Sequence, residues 1–178
     1  MSQLEDPISA AHQAAIPWGG LAGEPRLIRD RENLVFEAHL TNGTHAALRL
    51  HREGYQSAEA IKGELTWTAA LAERGFPCPR PIPTKGGNLA ARLSGLPIAS
   101  MITWIDAEPI GEHGLTYAGD ISRYGDLGTL IAQMHAITDE LALGSLDRPD
   151  WGADALLGEN PHWGRFWENP SLSKEEAQ

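Results

Sequence analysis

The sequence predicts an α+β fold: a small antiparallel sheet with one helix packed on it, followed by further helices. Three observations predict it. Residues 33–51, NLVFEAHLTNGTHAALRLH, read as two strands around an Asn-Gly turn. Residues 57–74, SAEAIKGELTWTAALAER, carry apolar side chains at helical spacing, and after a polar linker the same spacing returns over residues 120–139.

The hairpin is the sharpest local signal. Asn42-Gly43 suits the positive φ angles of a two-residue type I′ turn. With Thr41 and Thr44 flanking that turn, Ala38 is expected opposite Ala47 and Phe36 opposite Arg49, so these four side chains should share one face. In the next segment Ile61, Leu65, Thr68 and Ala72 mark a buried helix face that Trp67 and Leu71 widen. Ser57 is placed to cap its start, and Gly75 before Phe76-Pro77 to end it. Glu64 falls on the flank of that face, where a carboxylate calls for a partner.

The run PCPRPIPTKGGNLAARL is expected to be extended, to turn at Lys85-Gly86-Gly87-Asn88 and to end in a short strand. IASMITWI, residues 98–105, suits a buried strand that leads into the linker DAEPIGEHG. Beyond it, Ile121, Tyr124, Leu127, Leu130, Ile131, Met134 and Ile137 trace one amphipathic helix. The expected division is therefore an N-terminal extension (1–25), a sheet-and-helix lobe (26–106), a linker (107–119) and the start of a helical lobe (120–178).

Composition narrows the function classes. The formal net charge of −10 opposes a phosphate backbone, so nucleic acid is not an expected partner. The longest apolar runs fall well short of the roughly 20 residues of a membrane span, and MSQLEDPISAAHQ has neither a basic start nor an apolar signal core, so a cytoplasmic location and no membrane partner are expected. The lone Cys78 excludes an internal disulfide. His45 and His51 are expected on one strand face and His39 on the other, with no H-x-x-x-H or H-E-x-x-H spacing, so no metal site is expected from the seven histidines.

Assembled in order, these elements have the layout of a protein kinase-like N-lobe joined to the first helices of a C-lobe. Ala47-Leu48-Arg49 resembles the kinase strand motif V-A-I-K with arginine in place of lysine, and Glu64 resembles the ion-pair partner of that cation. ENLVFEAHLTNGTHAALRLHR, GELTWTAALAERGFPCPRPIPTKGG, LGTLIAQMH and WGRFWENPSLSKEE are similar, in this order, to segments of the aminoglycoside phosphotransferase family. That family also holds choline kinases, homoserine kinases of the second type and stress-response kinases, and the resemblance runs from about residue 26 onward.

The resemblance implies ATP and Mg2+ as cofactors, a small-molecule hydroxyl as phosphate acceptor, and a set of nucleotide contacts. Arg49 would neutralise phosphate charge and Glu64 would position it. Ala47 would leave room for adenine with Phe36 and Ala38 nearby, and backbone groups at Thr103, Trp104 and Ile105 would meet the adenine edge. Two departures stand out. LIRDRENLVF, where protein kinases carry G-x-G-x-x-G, has no glycine. No His-x-Asp followed by the magnesium-binding Asn occurs, and no D-F-G or I-D-F/W motif.

Asp126 in YGDLGTLIAQMH does not replace the missing loop. Tyr124 stands where the histidine is needed, Ile131 where the asparagine is needed, and the helical pattern runs through it. No catalytic residue or metal ligand is therefore assigned, and the isolated chain is expected to be catalytically incomplete, with its Mg2+ ligands further along the family's sequence.

Ser173 and Glu176 have capping-box spacing with two residues left after it, as expected either of a chain cut short or of a polar tail. Trp151, Trp163, Phe166 and Trp167 crowd the last segment and could carry self-association or a partner chain. Besides the N-terminal part of a kinase, the sequence leaves open a kinase-like remnant acting as a binding or regulatory module, or one chain of a split kinase.

Overall fold

Strands form where apolar residues recur at alternate positions, as at Ala46, Leu48 and Leu50, and the sheet grows around this most buried stretch. In a computed structural model, residues 6–107, 122–144, 146, 151–162 and 164–173 are described. The chain divides into two units, Met1–Leu146 and Asp147–Gln178. The first holds β1 (Arg26–Asp30), β2 (Asn33–His39), β3 (His45–His51), β4 (Ala90–Ala91) and β5 (Ala99–Thr103) in one sheet of order β1-β2-β3-β5-β4, antiparallel throughout.

The hairpin differs from the expected one by a single residue. The Leu40 amide donates to the Thr44 carbonyl at 2.9 Å and the Gly43 amide to the Leu40 carbonyl at 2.9 Å, so the loop is Thr41-Asn42-Gly43 with Gly43 at φ +85°. Gly43 thus takes the left-handed conformation of a three-residue loop, not a place in a two-residue type I′ turn. Phe36 lies opposite Leu48, Ala38 opposite Ala46, Val35 opposite Arg49 and Glu37 opposite Ala47. Because side chains alternate with period two, the one-residue change puts Phe36 and Ala38 on the face away from Ala47 and Arg49.

That far face carries the main core. Phe36, Leu40, Ala46, Leu48, Leu50, Ala99 and Met101 are buried there against Ala10, Ala11, Ala14, Ala15 and Trp18. The alanines belong to α1 (Pro7–Ala14) and its C-terminal cap, a helix inside the expected N-terminal extension. Asp6 accepts from the Ile8 and Ser9 amides, each at 3.0 Å, and Pro7 follows at the first helical position, so Asp6-Pro7 is the start signal that could have revealed the helix. A 3₁₀ turn, Ile16–Trp18, then seats the indole, whose Nε1 donates to the Ile82 carbonyl at 2.7 Å.

The near face is covered by α2 (Ala58–Glu73), capped by Ser57 through the Ala60 amide at 2.9 Å. Ile61 and Leu65 bury against Ile98, with Leu89, Ala90 and Ile102 alongside. The proline-rich return is laced to the sheet edge: the Ile82 amide donates to Met101 and the Thr103 amide to Arg80, each at 2.8 Å. Cys78 sits half-buried along this return, and burial raises its thiol pKa. β5 ends at Thr103, two residues short of the expected strand.

α3 (Ser122–Glu140) forms where the apolar repeat predicts it and includes Asp126. Its last turns meet α2, where Trp67 Nε1 donates to Thr138 Oγ1 at 3.0 Å and Arg74 pairs with Glu140 at 3.1 Å. Met134 and Ile137 are half-buried, whereas Tyr124, Leu127, Leu130 and Ile131 are 38–53% exposed. Apart from Ala107 the expected linker lies outside the described residues, as do Ile121, Trp163 and Glu176.

The second unit contains α4 (Ala153–Leu157) and a 3₁₀ turn at Phe166–Glu168. Trp151 and Phe166 are exposed, and Phe166 meets Trp167 edge-on with ring centroids 5.0 Å apart. Among the described residues no helix is long and apolar enough to cross a membrane.

Candidate functional site

On the near face, alternation along β3 aligns His45, Ala47, Arg49 and His51. α2 lies across this face, and the spacing from Ile61 to Leu65 that buries the helix also delivers Glu64 to the strand. Arg49 Nη1 donates to Glu64 Oε1 at 2.9 Å, with side chains 24% and 32% exposed. The pair is shielded enough to be held and open enough to meet a ligand. With its amide turned so that both atoms find partners, Asn33 accepts from Arg49 Nη2 at 3.2 Å and donates to the Glu32 carbonyl at 3.1 Å. The guanidinium fork is thus tied on two sides, by α2 and by the start of β2.

Ser100 faces Arg49 from β5, and its Oγ is hydrogen-bonded to His51 Nε2 at 2.8 Å. Burial, reinforced by the Arg49 charge and opposed by Glu64, pushes the His51 imidazole down to about 4. His51 is therefore neutral at physiological pH and adds no second positive charge beside Arg49. Asn33, His51 and Ser100 were missed by the sequence reading; for His51 the signal was its period-two position after Ala47 and Arg49.

At the other end of the face, Ala47 is buried between Glu37 and Ile102 on the neighbouring strands. The Arg26 hydrogen bond holds the Glu37 carboxyl below the usual range, with a smaller contribution from His45. The Trp104 amide donates to the His45 carbonyl at 3.1 Å, and its ring stacks on His45 at 5.2 Å.

The structure therefore brings together Arg49, Glu64 and Ala47 and moves Phe36 and Ala38 away from them. Phe36 and Ala38 are buried on the far face at 0% and 2% exposure, so neither borders a ligand on the Arg49 side. Thr103 gives its amide to Arg80, and its Oγ1 accepts from the Arg80 amide at 2.9 Å. The amides of Thr103 and Trp104 are thus already bonded within the protein, and exposed Ile105 lies just beyond.

A bidentate cation beside a small residue fits the phosphates and base of a nucleotide. The same face does not fit Mg2+, which needs carboxylate oxygens it can take into an octahedral shell. Its carboxylates among the described residues, Glu37 and Glu64, are already paired with Arg26 and His45 and with Arg49.

An antiparallel five-stranded sheet, whose third strand sends a cation to a carboxylate on the following helix, is the architecture of protein kinase-like phosphotransferases. Solved structures share the fold. A microcompartment-associated aminopropanol kinase superposes with a TM-score of 0.70 at 24% identity, covering 90% of this chain and 49% of that one. An amicoumacin kinase solved with AMP-PNP and Ca2+ gives 0.68 at 18% identity, covering 82% and 44%.

The model of the phosphotransferase enzyme family known as APH matches residues 25–174, and the chain belongs to that family. The homoserine kinase of Rhizobium meliloti is 29% identical over 169 residues, 93% of this chain and 45% of its own length. That of Bartonella tribocorum is 34% identical over 101 residues, 50% of this chain and 30% of its own. The chain spans less than half the length of these curated relatives.

Proposed function

We propose that these 178 residues supply the nucleotide-anchoring lobe of an ATP-dependent phosphotransferase that moves the γ-phosphoryl group to a small-molecule hydroxyl. The observation that carries the reading is the Arg49–Glu64 pair at 2.9 Å on the face it shares with Ala47. Arg49 meets phosphate oxygens through its fork, Glu64 and Asn33 hold it in place, Ala47 leaves room for the base, and Ile105, just past the bonded Thr103 and Trp104 amides, meets the base edge. Bound Mg2+ would neutralise phosphate charge. No residue of this chain is assigned to hold it, and the sequence contains no His-x-Asp with a following Asn. The 178 residues alone are accordingly expected to bind nucleotide without transferring phosphate efficiently.

Thermal-shift measurements on the full chain test this. Magnesium-ATP should raise the melting temperature, AMP should do so much less, and Arg49→Ala should abolish the response while Arg49→Lys keeps part of it. No response in the unmodified chain overturns the reading.

Exposed Trp151 and Phe166 favour a second reading, a kinase-like binding module that self-associates through its aromatic segment. Sedimentation showing a monomer at every concentration removes it.

A further inference from the structure

The hairpin register that moved Phe36 off the Arg49 face also set His39 directly opposite His45. Their imidazoles stack with centroids 4.2 Å apart and planes 16° from parallel. Two residues earlier on β2, and so on the same face, Glu37 brings Oε1 to 2.9 Å from His45 Nε2. One donor atom from each of the three lies within 4.8 Å of the others. Trp104 stacks against His45 with planes 21° apart, which limits how that ring can turn.

We propose that Glu37, His39 and His45 form a three-ligand site for a divalent transition ion such as Zn2+ or Ni2+, with its remaining position open. Two imidazoles and a carboxylate suit these ions, whereas Mg2+ and Ca2+ take oxygen ligands. Ligand bonds of about 2.0–2.2 Å in a tetrahedron hold donors roughly 3.4 Å apart. The donors, all within 4.8 Å of one another, reach that spacing by side-chain rotation at exposed His39 and half-buried Glu37, while His45 stays against Trp104. Arg26 is the resident competitor: it pairs with Glu37, but its side chain is 70% exposed and free to swing into solvent. The site makes no use of Arg49 or Glu64 and does not rest on the nucleotide reading.

Calorimetric titration of the full chain with Zn2+, without nucleotide and with excess Mg2+ present, tests the assignment. One saturable site is expected. His39→Ala, at an exposed position, should weaken it by about tenfold or more, a loss at least as large as that from removing an outer-shell partner. Arg26→Ala should tighten it, because the cation competing for Glu37 is gone, whereas a merely structural Arg26–Glu37 pair would give no such gain. Absence of a saturable site overturns the proposal, as does unchanged affinity in His39→Ala or unchanged or weaker affinity in Arg26→Ala. A chain that fails to respond to ATP yet binds Zn2+ in this pattern separates the two proposals.

Discussion

Replacing Phe36 by alanine empties a fully buried site between the sheet and α1. Phe→Ala in a packed core costs about 3–5 kcal/mol, from lost transfer energy and the cavity left behind. The neighbours here are Leu48 and Met101 on the sheet and small alanines on the helix, whose short side chains cannot reach into the space left by the ring. Against a total stability of about 5–15 kcal/mol that is a large fraction, and for a unit of this size it lowers the melting temperature by about 10–20 °C. Phe36→Leu keeps much of the volume and should cost about 1–2 kcal/mol while staying folded. Urea denaturation gives both differences, and the thermal response to magnesium-ATP is read on Phe36→Leu. The reasoning predicts lost stability with an intact nucleotide response. A loss below about 1 kcal/mol for Phe36→Ala would refute it, as would a Phe36→Leu chain of near-normal stability that no longer responds to ATP, which would return Phe36 to the ligand wall.

Other outcomes follow from the same geometry. A double-mutant cycle with Arg49→Met and Glu64→Gln should give a coupling of about 1–2 kcal/mol in denaturation, between the values of exposed and buried ion pairs, because both side chains are partly shielded. His51 has its folded-state pKa lowered to about 4 from 6.5, so the unfolded chain binds the extra proton first. The stability it contributes is complete above pH 6.5 and is lost as pH falls towards 4, with a slope of up to about 1.4 kcal/mol per pH unit that His51→Gln should remove from a pH series of melts. Gly43→Ala meets no atom within 4 Å, so its cost of about 1–2 kcal/mol comes from the left-handed backbone alone, and Gly43→Asn should recover part of it in the same assay.

The elements of the first unit were largely legible because their signals are local. The strand alternation around residue 48, the apolar steps from Ile61 to Leu71 with the Ser57 cap, and the repeat from Tyr124 to Ile137 each fix an element without reference to the rest. The Arg49–Glu64 pair was legible in two parts: a carboxylate on the flank of a buried helix face calls for a partner, and the resemblance of Ala47-Leu48-Arg49 to the kinase strand motif pointed to Arg49 as that partner. Register was not, since Asn42-Gly43 serves a two-residue loop as well as a three-residue one that uses only the glycine's left-handed backbone. A shift of one position then exchanged the two faces, moving Phe36 and Ala38 into the core and setting His39 against His45. His51 and Ser100 lie 49 positions apart, and nothing local links a histidine to a serine at that separation.

The placement of α1 bears on how this lobe can be handled. The alanines and Trp18 that roof Phe36, Leu48 and Met101 come before residue 25, where the match to the family begins. A minimal version trimmed to the family boundary would open that apolar surface to water, and the resulting fragment would be sticky or unfolded before any question of ligand could be asked of it.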